Sequence, residues 1–250
     1  MFALITGASS GIGRTFAYML ADKGYDLILV ARRKKRLEEI KNNVKVNVEI
    51  CDIDISTTFN CHKLYNKIKK YDIEIVINAA GFGLIGNFVD TKLEREMDMI
   101  DLNIKAVHTL TKLFLKDFVN KNRGYILNVA SIASFEPGPL MATYYATKSY
   151  VYNLSTAINY ELKKSGSNVY LGCLCPGPVD TEFNKIAKVR FNLASHSSEF
   201  VCSYALKQMF KGKKIIIPGL KIKLAYIASK FLKVNMVLNF VYKSQTEKIR

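Results

Sequence analysis

The first thirteen residues restrict the fold more than any other stretch of the chain. PheAlaLeuIleThr (2–6) is a short apolar run suited to a buried strand. It passes directly into Gly7-Ala8-Ser9-Ser10-Gly11-Ile12-Gly13 and then into the helical pattern ArgThrPheAlaTyrMetLeuAla. Strand, glycine loop and helix in that order aim backbone N–H groups and the positive end of the helix at an anion, while the missing side chains let a pyrophosphate come close. The plainer reading is a tight turn whose glycines serve backbone geometry alone; the strand before the loop and the helix after it favour the anion site.

Further strand-like runs at 26–31, 46–51, 73–78, 124–130, 168–175 and 214–217 alternate with helical patterns. This predicts an α/β fold, a doubly wound parallel sheet with helices on both faces. No repeat or low-complexity linker divides the 250 residues, so a single domain over 1–250 is expected. Small-molecule sites in such sheets lie beyond the carboxyl ends of the strands, where Gly7, Asn78, Ser131 and Pro176 fall.

Tyr144 and Lys148 stand four apart, and Ser131 lies thirteen residues upstream of the tyrosine. Apolar spacing predicts a helix over 141–164, and i and i+4 share a helix face, which sets phenol beside ammonium. A nearby cation favours phenolate, so Lys148 is expected to lower the Tyr144 pKa and make the hydroxyl a usable acid or base. Tyr145 is the rival, but position 149 is Ser and gives it no lysine one turn on. Taken alone the pair is weak, since most Tyr-x-x-x-Lys spacings are solvated helix faces.

With the Gly-x-x-x-Gly-x-Gly loop, Asp52, Asn78-Ala-Ala-Gly81, Asn103 and Pro176-Gly-Pro-Val-Asp-Thr181, this set closely resembles the short-chain dehydrogenase/reductase family across residues 1–185. The resemblance implies a Rossmann fold and a nicotinamide cofactor. By that resemblance Gly7, Ser9, Ser10, Gly11, Ile12 and Gly13 would surround the pyrophosphate and adenosine ribose, and Asp52 and Ile53 would border the adenine. Asn78, Ala79, Ala80 and Gly81 would form the floor, and Pro176, Gly177, Val179 and Thr181 would hold the nicotinamide end. Catalysis would fall to Asn103, Ser131, Tyr144 and Lys148, with Tyr144 and Lys148 also touching cofactor, and Asn103 would hold a water linking Lys148 to solvent. Thr147, Ala130 and Ser134 depart from the family pattern without touching the acid-base residues. The family also implies a homodimer or homotetramer through helices near 103–118 and 143–163.

Charge argues for NADP over NAD. The second strand ends without an acid for a ribose 2′-hydroxyl, and Arg32 and Arg33 follow at once, where a 2′-phosphate would be welcome. The alternative is a solvated helix start with Glu38 and Glu39 as partners. Five cysteines near core elements and no leader segment predict a reducing cytoplasm rather than disulfides. Cys173 and Cys175 lack further ligands, so no metal is expected.

The chain carries a net charge of +16, and residues 211–250, with ten basic side chains against one acid, supply more than half of it. From about 219 to 250 the tail is apolar with lysines interspersed, too interrupted for a membrane span and suited to an amphipathic helix between Ile222 and Val241. Packing on its own domain, contact with anionic lipid, docking of an acidic carrier and a cap over the substrate cleft all stay open; no nucleic-acid motif accompanies the charge. The expected activity is NADPH-dependent interconversion of a carbonyl and a secondary alcohol. A reductase acting on a 3-oxoacyl thioester of an acidic carrier and a non-catalytic NADP-binding sensor or scaffold are the alternatives.

Overall fold

The computed structural model describes residues 1–183 and 195–249. Strand β1 (Phe2–Thr6) leads into α1 (Gly11–Ala21), followed by β2 (Asp26–Val30), α2 (Lys34–Asn42), β3 (Val48–Cys51), α3 (Thr58–Ile68) and β4 (Ile73–Asn78). The second half runs α4 (Leu93–Ile100), a π-helical turn (Asp101–Ala106), α5 (Val107–Lys121), β5 (Tyr125–Val129), α6 (Ala142–Lys164) and β6 (Tyr170–Leu174). It continues through α7 (Ser198–Phe210), β7 (Ile215–Ile216), α8 (Leu220–Ser229) and α9 (Val234–Ile249). Each strand lies within the run that sequence predicts for it.

The seven strands form one parallel sheet in the order β3-β2-β1-β4-β5-β6-β7. Side chains alternate across a strand, and the two faces bury different sets. Ala3, Ile5, Leu27, Leu29, Ile75 and Ile77 meet α1, α2 and α7 through Phe16, Leu20, Leu37, Ile40 and Leu206. Leu4, Ile28, Val30, Val76 and Ile126 meet α3 and α5 through Leu64, Leu110, Phe114 and Phe118. The doubly wound α/β reading therefore holds, and continuous apolar strands follow from burial on both faces. The order reverses between β1 and β4, which opens a crevice at their carboxyl ends.

The tail departs from one amphipathic helix. It turns between α8 and α9, where Phe231 N–H and Leu232 N–H bond the carbonyls of Ala228 and Ser229 at 3.1 Å each. In one straight helix Ile222 and Gln245 would lie about 35 Å apart. Across the turn, Ile222 packs on Gly177 while Gln245 reaches the cavity that Gly177 also lines.

Candidate active site

Two adjoining cavities run along the carboxyl ends of the strands, with Gly81 in the wall of both. The glycine loop forms their shared edge. Gly7 has φ +67°, and a Cβ there would stand 2.8 Å from Ala80 Cα; one on Gly13 would stand 2.4 Å from the Gly7 carbonyl oxygen. Backbone approach this close admits no side chain. Thr6 Oγ1 accepts from the Ala79 and Ala80 N–H groups at 3.0 and 3.1 Å and so joins β1 to β4 at the switch point. No side chain caps α1 at Ser10, which leaves the helix start open toward the first cavity.

That cavity is lined by Ser10, Gly11, Ile12, Gly13, Ala79, Ser131, Tyr144, Lys148, Pro176, Gly177, Val179 and Thr181. Met141, Tyr145, Phe183 and Gln245 complete it. Ser131 follows β5 and caps a short 3-10 turn through Ala133 N–H at 3.1 Å. Tyr144 and Lys148 come from the first turns of α6 and are both buried. Lys148 Nζ donates to the Val129 carbonyl at 3.0 Å and lies 5.9 Å from the Tyr144 ring centroid.

The electrostatics correct the sequence argument. Burial is the largest influence on Tyr144 and pushes its phenol well up, with a hydrogen bond to the Ser131 hydroxyl working the other way. Burial also brings Lys148 down to about 8. Spacing shows which groups meet but not how dry they are. Here desolvation opposes both charged forms, the ammonium is directed at a carbonyl, and Ser131 rather than Lys148 eases ionisation of the phenol.

Asn103 lies on the π-helical turn and is fully buried. Its amide oxygen accepts from Phe82 N–H at 3.1 Å, and its nitrogen donates to the Phe82 carbonyl at 2.9 Å and to Thr147 Oγ1 at 3.1 Å. Thr147 in turn donates to the Tyr144 carbonyl at 2.7 Å. A Cβ on Gly81 would lie 2.8 Å from Asn103 Oδ1 and 3.5 Å from Lys148 Nζ, so Asn103 stands behind the lysine and fixes the backbone beside it. Asn78 also works from behind. Its side chain bonds Asn128 Oδ1 at 2.8 Å within a buried network that continues to Ser155 on α6.

The second cavity is lined by Gly7, Ser9, Arg32, Arg33, Ile53, Asp54 and Ala80, among others. Arg33 does not face Glu38 or Glu39. Its guanidinium donates to Ser9 Oγ at 3.0 and 3.1 Å, to Ser10 Oγ at 2.8 Å and to Glu182 Oε2 at 2.7 Å. Arg36 holds the other Glu182 oxygen at 2.5 Å, and the two cations keep that carboxyl below its ordinary value. Arg32 is mostly exposed and reaches Asp54 at 3.5 Å. Asp52 is exposed, and Ile53 and Asp54 furnish the wall beside it. Sequence reasoning missed Asp54, Glu182 and Gln245; Glu182 and Gln245 meet their partners 149 and 100 residues away, which no local pattern announces. All five cysteines are buried and free, and no metal-binding cluster occurs among the described residues.

The arrangement fits a dinucleotide. The cradle at Gly7 and Gly13 and the open helix start suit a pyrophosphate, Arg33 suits an anion at one end, and Tyr144 and Lys148 stand at the other.

Residues 1–189 match the family model described as short chain dehydrogenase. A very-long-chain 3-oxoacyl-CoA reductase of Pyrenophora tritici-repentis is 36% identical over 199 residues, covering 75% of this chain and 57% of that protein. An uncharacterized oxidoreductase of Staphylococcus epidermidis is 33% identical over 181 residues, 72% of this chain and 78% of its own length. Among solved structures, a short-chain dehydrogenase from Sphingobium yanoikuyae in complex with NADPH superimposes with a TM-score of 0.83 at 32% identity, covering 92% of each chain.

Proposed function

This chain belongs to the short-chain dehydrogenase family, whose members are oxidoreductases that bind a nicotinamide cofactor, and we propose that it uses NADPH to reduce the carbonyl of an apolar substrate to a secondary alcohol. The observation that carries the reading is a buried phenol, Tyr144, bonded to Ser131 and opening into a cavity that the glycine cradle also lines. When bound, the cofactor supplies the hydride.

The protein's part is proton delivery and positioning. A phenol held above its ordinary pKa keeps its proton at neutral pH and can give it to the substrate oxygen, because the alkoxide forming there is a far stronger base than phenolate. Ser131 steadies the same oxygen. Lys148 holds its end of the cavity in place through Val129, and Asn103 fixes the backbone at Phe82 behind it. The apolar wall of Ala133, Met141, Tyr145 and Phe183 suits a hydrocarbon-bearing substrate. The fungal relative's name, very-long-chain 3-oxoacyl-CoA reductase, supports an acyl thioester as one such substrate, and the basic tail suits an acidic carrier as its bearer.

NADPH is preferred over NADH on the strength of Arg33 and Arg36, two cations beside the adenosine end that share Glu182 as counter-ion. Tyr144→Phe should lower turnover of a 3-oxoacyl thioester by roughly 10²-fold or more while calorimetry finds NADPH binding unchanged. Near-normal turnover in that variant would remove Tyr144 from the chemistry. Tight NADPH binding without turnover of ketones, aldehydes or thioesters by the unmodified chain would favour a sensor.

A further inference from the structure

We propose that the outward faces of α8 and α9 seat on the surface of an anionic lipid bilayer. The two helices have distinct inner and outer sides. Inward, Ile222 packs on Gly177, Tyr226 meets Phe135 with ring centroids 4.0 Å apart and planes tilted by 36°, Val237 is buried and Gln245 bonds the Tyr145 hydroxyl at 2.7 Å. Outward, Leu220, Leu224 and Ile227 recur at i, i+4 and i+7 along α8 and are 72%, 56% and 44% exposed, and Phe231, in the turn that follows, is 85% exposed. That spacing draws one apolar stripe along a helical surface, opposite Ile222 and Tyr226. Phe240 of α9 adds a further aromatic ring at 73% exposure. An apolar strip this long is more than the scattered apolar residues of an ordinary surface.

The charge around the stripe selects its occupant. By helical rotation Lys221 falls on one flank of the stripe and Lys223 on the other, while Lys230, at the end of α8, holds its ammonium 4.5 Å from the Tyr226 ring centroid. No Asp or Glu occurs between Glu199 and Glu247, and among the described residues these lysines meet no carboxylate. A second copy docking through the same patch would set the lysines of α8 against one another, with Glu247 near the end of α9 the one acid on either helix. A bilayer with acidic headgroups supplies anions at the depth of the ammonium groups and hydrocarbon at the depth of Phe231. No helix among the described residues is long and apolar enough to cross a membrane, so the contact is interfacial. The inner sides of the same helices reach the catalytic cavity through Gly177 and Gln245, so docking would bring lipid close to the site. The docking itself stands independently of the reaction proposed above.

The test is co-sedimentation of the full chain with phosphatidylcholine vesicles, with or without a minority of phosphatidylserine. The expected result is partitioning at least roughly ten-fold stronger onto the serine-containing vesicles, weakened by salt. Phe231→Ser with Phe240→Ser should abolish it while NADPH binding persists, since neither residue touches the site. The proposal is overturned if neither vesicle type retains the protein. It is overturned equally if the double variant binds as well as the parent, which would leave only diffuse charge. A dimer in sedimentation velocity that the double substitution dissolves, with no vesicle binding by the parent, would assign the face to a second copy instead.

Discussion

Lys148 is a cation that its own burial works against. Its folded value, about 8, lies below the 10.5 of an exposed lysine. Between those values the unfolded chain still holds a proton that the folded chain has released, so this group makes stability climb with pH there; below about 8 both states are charged and the cost of the buried ammonium is carried in full. Tyr144 acts in the opposite sense above about 10, because the folded state keeps its phenol protonated. Urea midpoints taken across pH 8 to 10 should therefore show Lys148→Met gaining most over the parent at the acid end, by up to a few kcal/mol, with the gain shrinking toward the alkaline end. A constant difference would mean the lysine is better solvated than its surroundings suggest. Ser131, Tyr144, Lys148 and the loop glycines are legible in sequence because each depends on neighbours a few residues away or on a backbone angle. The sign of the Tyr144 shift is not, because its burial is shared with Met99 and Phe183, which arrive from other parts of the chain.

At the scale of elements, the loop after β6 and the start of α2 are joined by a single carboxylate. Glu182 lies 149 residues from Arg33, and no local pattern announces their contact. Sequence places two arginines after β2; the structure selects Arg33, turned onto Ser9 and Ser10, and leaves Arg32 largely in solvent. A 2′-phosphate arriving at Arg33 must compete with Glu182. Glu182→Gln should then tighten NADPH by about two- to five-fold, the range of an exposed ion pair, and leave NADH unchanged; Arg33→Ala should weaken NADPH selectively. Calorimetric titration of both cofactors decides it, and equal effects on the two would break the link between this ion pair and the phosphate. The tail follows the same lesson. Its amphipathic character is readable, but the turn that brings Gln245 back to the cavity depends on a pocket built far upstream.

At the scale of the molecule, the alternation of strands and helices makes the layered sheet readable before any contact is known, because a strand buried on both faces must be apolar throughout. A ligand that bridges the cleft binds only the assembled sheet. NADPH at about a hundred times its Kd should raise the melting midpoint by roughly 5 to 10 °C, in one transition seen alike by circular dichroism and calorimetry; two transitions, only one of them shifted, would show the halves melting apart. The strand order carries a further consequence, for time rather than for energy. Phe2 pairs with Ile73, and Thr6 with Asn78. The floor of the glycine cradle is thus laid by a strand that leaves the ribosome some seventy residues after the loop it supports. The nascent chain must hold Gly7 to Gly13 without a floor until β4 docks, so the ability to bind a dinucleotide marks the moment at which the central strands have found each other.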